Sequence, residues 1–161
     1  SNTIGEEGKG FYHVLEFFDE SRILVAAQAL GTAQGAYNRA LAYVKEREQF
    51  GRKIAQFQVT QHKLADMATK IETARNLLYK ACWLRDHKRP FEKEAAMAKL
   101  YCSELMGRVA DHAVHIHGGY GLMKEYDVER FYRDAKITEL YEGTKEIQKN
   151  TIASAIIGKI K

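Results

Sequence analysis

SRILVAAQALGTAQGAYNRALAYVKEREQF, residues 21–50, sets the architecture. Ile23, Ala27, Leu30, Gln34, Tyr37, Leu41 and Val44 recur in alternating steps of four and three. That is the period of a helix that buries one face. A helix of near 30 residues is about 45 Å long at 1.5 Å per residue. Asp19 or Ser21 offers it an N-cap, and Gly51 a stop.

The same spacing returns further along. Over 58–86 it is carried by Leu64, Met67, Ile71, Ala74, Leu78 and Ala81. RDHKRP ends that run, because a residue before proline avoids helical angles. A third helix is predicted from Pro90 or Phe91 to Ile116, on the stripe Ala98, Cys102, Leu105, Val109, His112 and Ile116, with HGGYG breaking it. Shorter helices are predicted over 128–140 and 145–157. No alternating β segment competes, no internal repeat or low-complexity stretch appears, and Pro90 is the single proline. Long helices on short connections become antiparallel neighbours. The predicted fold is therefore all-α: an antiparallel, up-down four-helix bundle with short additional helices.

The chain has 161 residues, 45% apolar and 29% charged, which suits one domain with a real core. No apolar run approaches the roughly 18 residues of a membrane span. Net charge is +4 and pI about 9.0. The densest basic patch, KEREQFGRK at 45–53, has acids between its cations. This composition points away from nucleic acid and, at most, toward a phosphate-bearing small molecule. Cys82 and Cys102 lie inside helical patterns and read as reduced, cytosolic core residues. Ser1-Asn2 resembles an expression scar, and IGEEGKG at 4–10 is loop-like.

Four stretches offer chemistry, each beside a plainer reading. His112, His115 and His117 cluster, yet no acid completes a zinc ligand pattern, so packing and loop contacts are the default and no metal is expected. HGGYG either ends a helix or lets a backbone approach a ligand closely. In REQFGRKI, Arg47 either faces water at a helix end or, beside Phe50 and Gly51, addresses a pyrophosphate and a flat ring. In YEGT, Thr144 caps a helix as a surface turn. Alternatively, Glu142 stands just ahead of a helix N-terminus with its free N–H groups, and Gly143 clears space for a ligand. One turn then supplies a base and an oxyanion donor, the pair needed to remove a proton next to a carbonyl.

With these residues in hand, the chain resembles the C-terminal helical domain of an acyl-CoA dehydrogenase. IGEEGKGF, FFDESR, REQFGRKIAQFQ, HIHGGYG, RDAKI and YEGTKEIQ fall in that family's order and spacing. The resemblance implies residues 1–18 as a linker from a middle β domain and 19–161 as the helical bundle. It implies FAD bound at a subunit interface, and oxidation of an acyl-CoA thioester to trans-2-enoyl-CoA in fatty acid β-oxidation. The base would be Glu142, with Tyr141 and Gly143 bordering the substrate and Asp19 and Arg22 along its CoA part. Arg47, Gln49, Phe50, Gln58, His115, Gly118, Gly119, Thr144 and Glu146 would match cofactor contacts, Arg47 on the diphosphate of a neighbour's FAD. Relatives of the isovaleryl-CoA type place their base just before the arginine of FDxxR, where this chain has Ser21, which cannot serve.

Homodimer or homotetramer formation and an electron-transfer flavoprotein partner are further implications, as is a cytoplasmic location, or the mitochondrial matrix in a eukaryote. The isolated chain is expected to be inactive. Two alternatives stay open: an acyl-CoA oxidase that hands electrons to oxygen, and a non-catalytic helical oligomerisation module.

Overall fold

The computed structural model describes residues 2–158; the reading of Ser1 lies outside them. The chain forms α1 (Gly10–Glu46), a short ribbon β1 (Glu48–Gln49) and β2 (Arg52–Lys53), α2 (Gln58–Asp86), α3 (Glu92–His117), α4 (Val128–Ala135) and α5 (Lys145–Ile157). The long helices pack as the predicted up-down bundle, with α1 making its most extensive contact with α3. Among the described residues no helix is long and apolar enough to cross a membrane.

The bounds of α2 and α5 agree with the sequence reading, and α3 differs by a residue or so at each end. At its start α1 does not agree. It begins at Gly10 with Lys9 as N-cap, not at Ser21, and no side chain caps it. Nothing in FYHVLEFFDE breaks a helix, so the run simply continues upstream. Phe11, Val14 and Phe17 stay exposed on this extension.

The other end also departs from expectation. The helix closes at Glu46, and Arg47 turns to extended angles. Glu48 pairs with Lys53 and Gln49 with Arg52 across a two-residue turn. Phe50 (φ 55°) and Gly51 (φ 76°) are both left-handed, as the tightest hairpin turns require. Strands of two residues have no period to read, which is why no strand was expected there.

The core is an alanine seam. Ala26, Ala29, Ala33, Ala36 and Ala40 of α1 are buried, together with Ile23, Leu30 and Val44. Ala95, Ala98, Ala110 and Ala113 of α3 are buried as well, and all nine alanines belong to one hydrophobic cluster. Of the expected α1 stripe, Gln34, Tyr37 and Leu41 are only half-buried and Ala27 is exposed. Small side chains let two helices approach, and larger ones straddle the contact. On α3 the stripe is buried through Val109, but His112 and Ile116 are half-buried.

The predicted helix over 128–140 is α4 followed by a tighter 3-10 turn, Lys136–Glu139. Thr138 explains the change. Its hydroxyl donates to Ala135 O at 2.8 Å, and its own carbonyl accepts from Ser103 Oγ at 2.8 Å, which diverts both groups from α-helical pairing.

The seam yields a paired prediction. Ala33→Leu overpacks it and destabilises by about 1–3 kcal/mol. Ala27→Leu, on the exposed side, changes stability by less than about 0.5 kcal/mol. Urea unfolding of both variants measures the difference.

Candidate functional site

The turn between the 3-10 segment and α5 carries Glu142 and Gly143, both left-handed, at φ 57° and 91°. A glutamate in that region costs about 1 kcal/mol or more. Gly143 is required by space as well as by φ, since a Cβ there would meet Gln148 Nε2 at 2.7 Å. Thr144 is the N-cap of α5 by position, although its side chain makes no cap bond. Its carbonyl accepts from Gln148 N at 3.0 Å. Glu146 follows, exposed, in the first helical turn.

The Glu142 carboxylate is half-buried. Its Oε2 accepts from Ser21 Oγ at 2.6 Å, across 121 residues of chain. Next to Ser21, the nearly buried Arg22 donates through Nη1 to Asp19 Oδ1 at 2.6 Å. Burial pushes the Asp19 carboxyl up, against the pull of Arg22. Tyr141 donates its hydroxyl to Gln28 Oε1. Asp19, Arg22, Tyr141, Glu142 and Gly143, far apart in sequence, thus gather at one end of the bundle.

Two members of this cluster had no role in the sequence reading: Lys99, outside every motif, and Gln148, the last residue of YEGTKEIQ. Lys99 of α3 is 1% exposed and donates from Nζ to Gly143 O at 2.6 Å. Loss of water pulls its pKa down to about 8; Arg22 adds to that pull, while Glu142 and Glu139 oppose it. Gln148 of α5 is fully buried and donates from Nε2 to Glu142 O at 2.9 Å and Gly143 O at 3.0 Å. Lys99 stands four residues after Ala95 and three before Cys102, on the apolar face of α3, and that placement was the available signal.

A second cluster forms at the far end of α1. A cleft of about 430 Å³ is lined by Tyr43, Arg47, Gln49, His115, Gly118 and Gly119, among others. A groove beside it adds Phe50, whose turn leaves its side chain 91% exposed. Gln58, the first residue of α2, is exposed and lines neither. A Cβ on Gly118 or Gly119 would meet only open space; at Gly118 the φ of 62° still favours glycine, whereas nothing local demands it at Gly119. Arg47 sits over the Tyr120 ring, 5.3 Å from its centre.

The buried histidine is His117, not His112. Its ring stacks on Tyr43 at 4.1 Å, its Nδ1 lies 2.8 Å from Ala113 O, and burial lowers its pKa. His115 is exposed toward the cleft. Among the described residues no group of three or more His, Cys, Asp or Glu comes together to hold a metal. Ser21 and Arg47 are separated by 26 helical steps along α1, or about 39 Å. The two clusters therefore stand at opposite ends of the bundle.

The family model for the C-terminal domain of acyl-CoA dehydrogenase matches residues 8–157. The chain is 53% identical over 157 residues to the probable acyl-CoA dehydrogenase YngJ of Bacillus subtilis, covering 98% of this chain and 41% of that one. It is 52% identical over 157 residues to acryloyl-CoA reductase (NADH) of Anaerotignum propionicum, covering 98% and 40%. The solved butyryl-CoA dehydrogenase of Megasphaera elsdenii superposes with TM-score 0.95 at 49% identity, over 97% of this chain and 41% of that one. The chain thus spans about two fifths of the length of the proteins it matches.

Lys99 gives the site a pH signature. The folded chain releases this proton near 8, the unfolded chain near the ordinary 10.5. Between those values the unfolded state holds more protons, so stability from this group rises with pH. Below about 8 the full cost of the buried charge is present. Urea unfolding at pH 7.5 and pH 10 is expected to show the wild type gaining on Lys99→Met as pH rises.

Proposed function

This chain belongs to the acyl-CoA dehydrogenase family, as the C-terminal domain, and from that footing we propose that it supplies the catalytic base of a longer flavoenzyme. That enzyme oxidises an acyl-CoA thioester between its α and β carbons to the trans-2-enoyl-CoA. Glu142 takes the α-proton, and the C–H electrons become the new Cα=Cβ bond. Its backbone N–H, at the left-handed turn, is the donor for the thioester oxygen; a single such donor is typically worth about 3–4 kcal/mol. Tyr141 and Gly143 border the acyl group, and Asp19 and Arg22 lie along the CoA part. When bound, FAD accepts the hydride that leaves the β-carbon.

The observation that carries this reading is the contact of Ser21 with Glu142. Ser21 stands where the isovaleryl-CoA type keeps its carboxylate, and Glu142 where YEGT-type relatives keep theirs. In this chain the two positions meet at 2.6 Å, as two alternative routes to one substrate carbon would. Ser21 has no acid to offer, which leaves the role to Glu142.

The cleft at the other end has the chemistry of a dinucleotide site. Arg47 offers a guanidinium to a diphosphate, Phe50 an exposed ring, and Gly118 and Gly119 an open backbone. Gln49 and His115 line it as well. Thr144 and Glu146, at the start of α5, are assigned to the flavin at the base end. A span of about 39 Å between the clusters is too long for one FAD to join them. The Arg47 cleft then serves the cofactor of a neighbouring subunit, and the active form is a homodimer or homotetramer. An electron-transfer flavoprotein as redox partner fits this assignment.

In the full-length, flavin-loaded protein, Glu142→Gln is expected to abolish flavin bleaching by acyl-CoA while leaving acyl-CoA binding within a few-fold. Bleaching at a near-normal rate would remove Glu142 from the role. The 161-residue chain alone is expected to show no turnover and to self-associate. Light scattering that returns a monomer at high concentration contradicts the second expectation.

A further inference from the structure

Glu142 and Gly143 form a two-residue left-handed turn whose two carbonyls both point into the protein. There they meet side chains, not the backbone ladder. Gln148 Nε2 reaches both oxygens, at 2.9 and 3.0 Å, and Lys99 Nζ reaches Gly143 O at 2.6 Å. These donors come from different helices, and each is at most 1% exposed. The peptide unit is planar and trans. Holding Glu142 C=O inward therefore turns Gly143 N–H outward, and holding Gly143 C=O inward does the same for Thr144 N–H.

The burial of these donors is costly. Gln148 Oε1 is buried without a partner, a loss of about 1–3 kcal/mol. The two carbonyls decide which end of the amide is nitrogen, since only the NH₂ donates. Lys99 is a cation in the core, with Arg22 of α1 as a like charge nearby and Glu139 and Glu142 as opposite ones. An apolar pair of similar size would pack here without the desolvation cost. What it would not supply is a grip on the two carbonyls.

We propose that Lys99 and Gln148 are positioning residues for the base: together they hold the Glu142–Gly143 turn left-handed and so fix where the carboxylate is aimed. This rests on Glu142 being the base. Ser21 restrains the tip of the side chain, and the two buried donors fix the backbone beneath it. Thermal motion that let the turn relax to ordinary φ would swing the carboxylate away from the substrate while leaving the rest of the pocket in place.

The test uses the full-length, flavin-loaded enzyme carrying Lys99→Met or Gln148→Met. Both changes keep bulk and delete the donor. Either variant is expected to slow flavin bleaching about 10- to 100-fold, the scale of a misplaced catalytic group. Acyl-CoA affinity should stay within about threefold and flavin content should not change, because neither residue touches a ligand. Amide hydrogens of residues 142–144 should exchange at least about tenfold faster, with protection in α1 retained. If the buried Lys99→Met variant fails to fold, Gln148→Met carries the test on the same readouts. Bleaching within twofold of wild type, or unchanged exchange at 142–144, overturns the proposal. Glu142→Gln is run alongside. If it is inactive while the two donor variants are fast, only the positioning claim fails. If it bleaches normally, the base assignment falls and the positioning claim with it.

Discussion

The close approach of α1 and α3 is the constraint on which the molecule depends. Alanine lines that contact from Ala26 to Ala40 on one helix and from Ala95 to Ala113 on the other. A seam of methyl groups brings the backbones near each other, and so brings together what lies beyond its ends. At one end Ser21 comes within reach of Glu142. At the other, Tyr43 comes into stacking contact with His117. Larger side chains along the seam would push the helices apart and open both clusters at once. The residues that position the chemistry are therefore mostly ones that carry none.

The two ends are built by different means. At the Glu142 end the stabilising groups are polar and buried: Lys99, Gln148, Ser103 and Thr138 all donate to carbonyls of the segment from Ala135 to Gly143. That segment passes from the end of α4 through a 3-10 turn into the Glu142–Gly143 turn, so the carbonyls that lose α-helical pairing need side-chain partners. At the Arg47 end the support is aromatic. Tyr43, His117, Tyr120 and Tyr126 pack on one another beneath the arginine, a platform that is stiff without burying charge. Next after Tyr126, Asp127 leads into α4 and pairs with Arg39 at 2.6 Å, which depresses its carboxyl and ties the loop back to α1.

Much of this was legible in the residues, and the exceptions share a cause. The limits of α2 and α5 agree with local signals: α2 stops at Asp86 within RDHKRP, where Lys88 turns left-handed ahead of Pro90, and the break at Gly143 opens α5. The beginning of α1 was not legible, because Lys9 and Gly10 give no capping signature. Its core stripe was misplaced at Ala27 because periodicity favours regular spacing, whereas packing selected the neighbouring Ala26 and Ala29. Most of the motif residues do gather, in two clusters as described. Lys99 escaped because its contact depends on a fold that brings α3 beneath a turn 44 residues away in sequence, and a lysine on an apolar stripe was the trace it left. Gln148 stood in the YEGTKEIQ motif, but its burial under the turn is a product of packing that the motif does not show. Histidine was misjudged for a similar reason: three stand close together, and only packing against Tyr43 decides that His117 is the interior one.

One uninterrupted helix, α1, spans from the Ser21 contact to the Arg47 cleft, and its rigidity has a consequence for how such a protein can change. At 3.6 residues per turn, inserting a single residue between Ala26 and Ala40 rotates everything beyond it by about 100° and lengthens the rod by about 1.5 Å. The alanine row would then spiral off α3, and the two ends would face the wrong directions. A gain or loss of seven residues, close to two whole turns, restores the angle but alters the length by about 10 Å. Point replacement is open to evolution along this helix, whereas insertion and deletion are effectively closed, and its length behaves as a fixed calibration of the molecule.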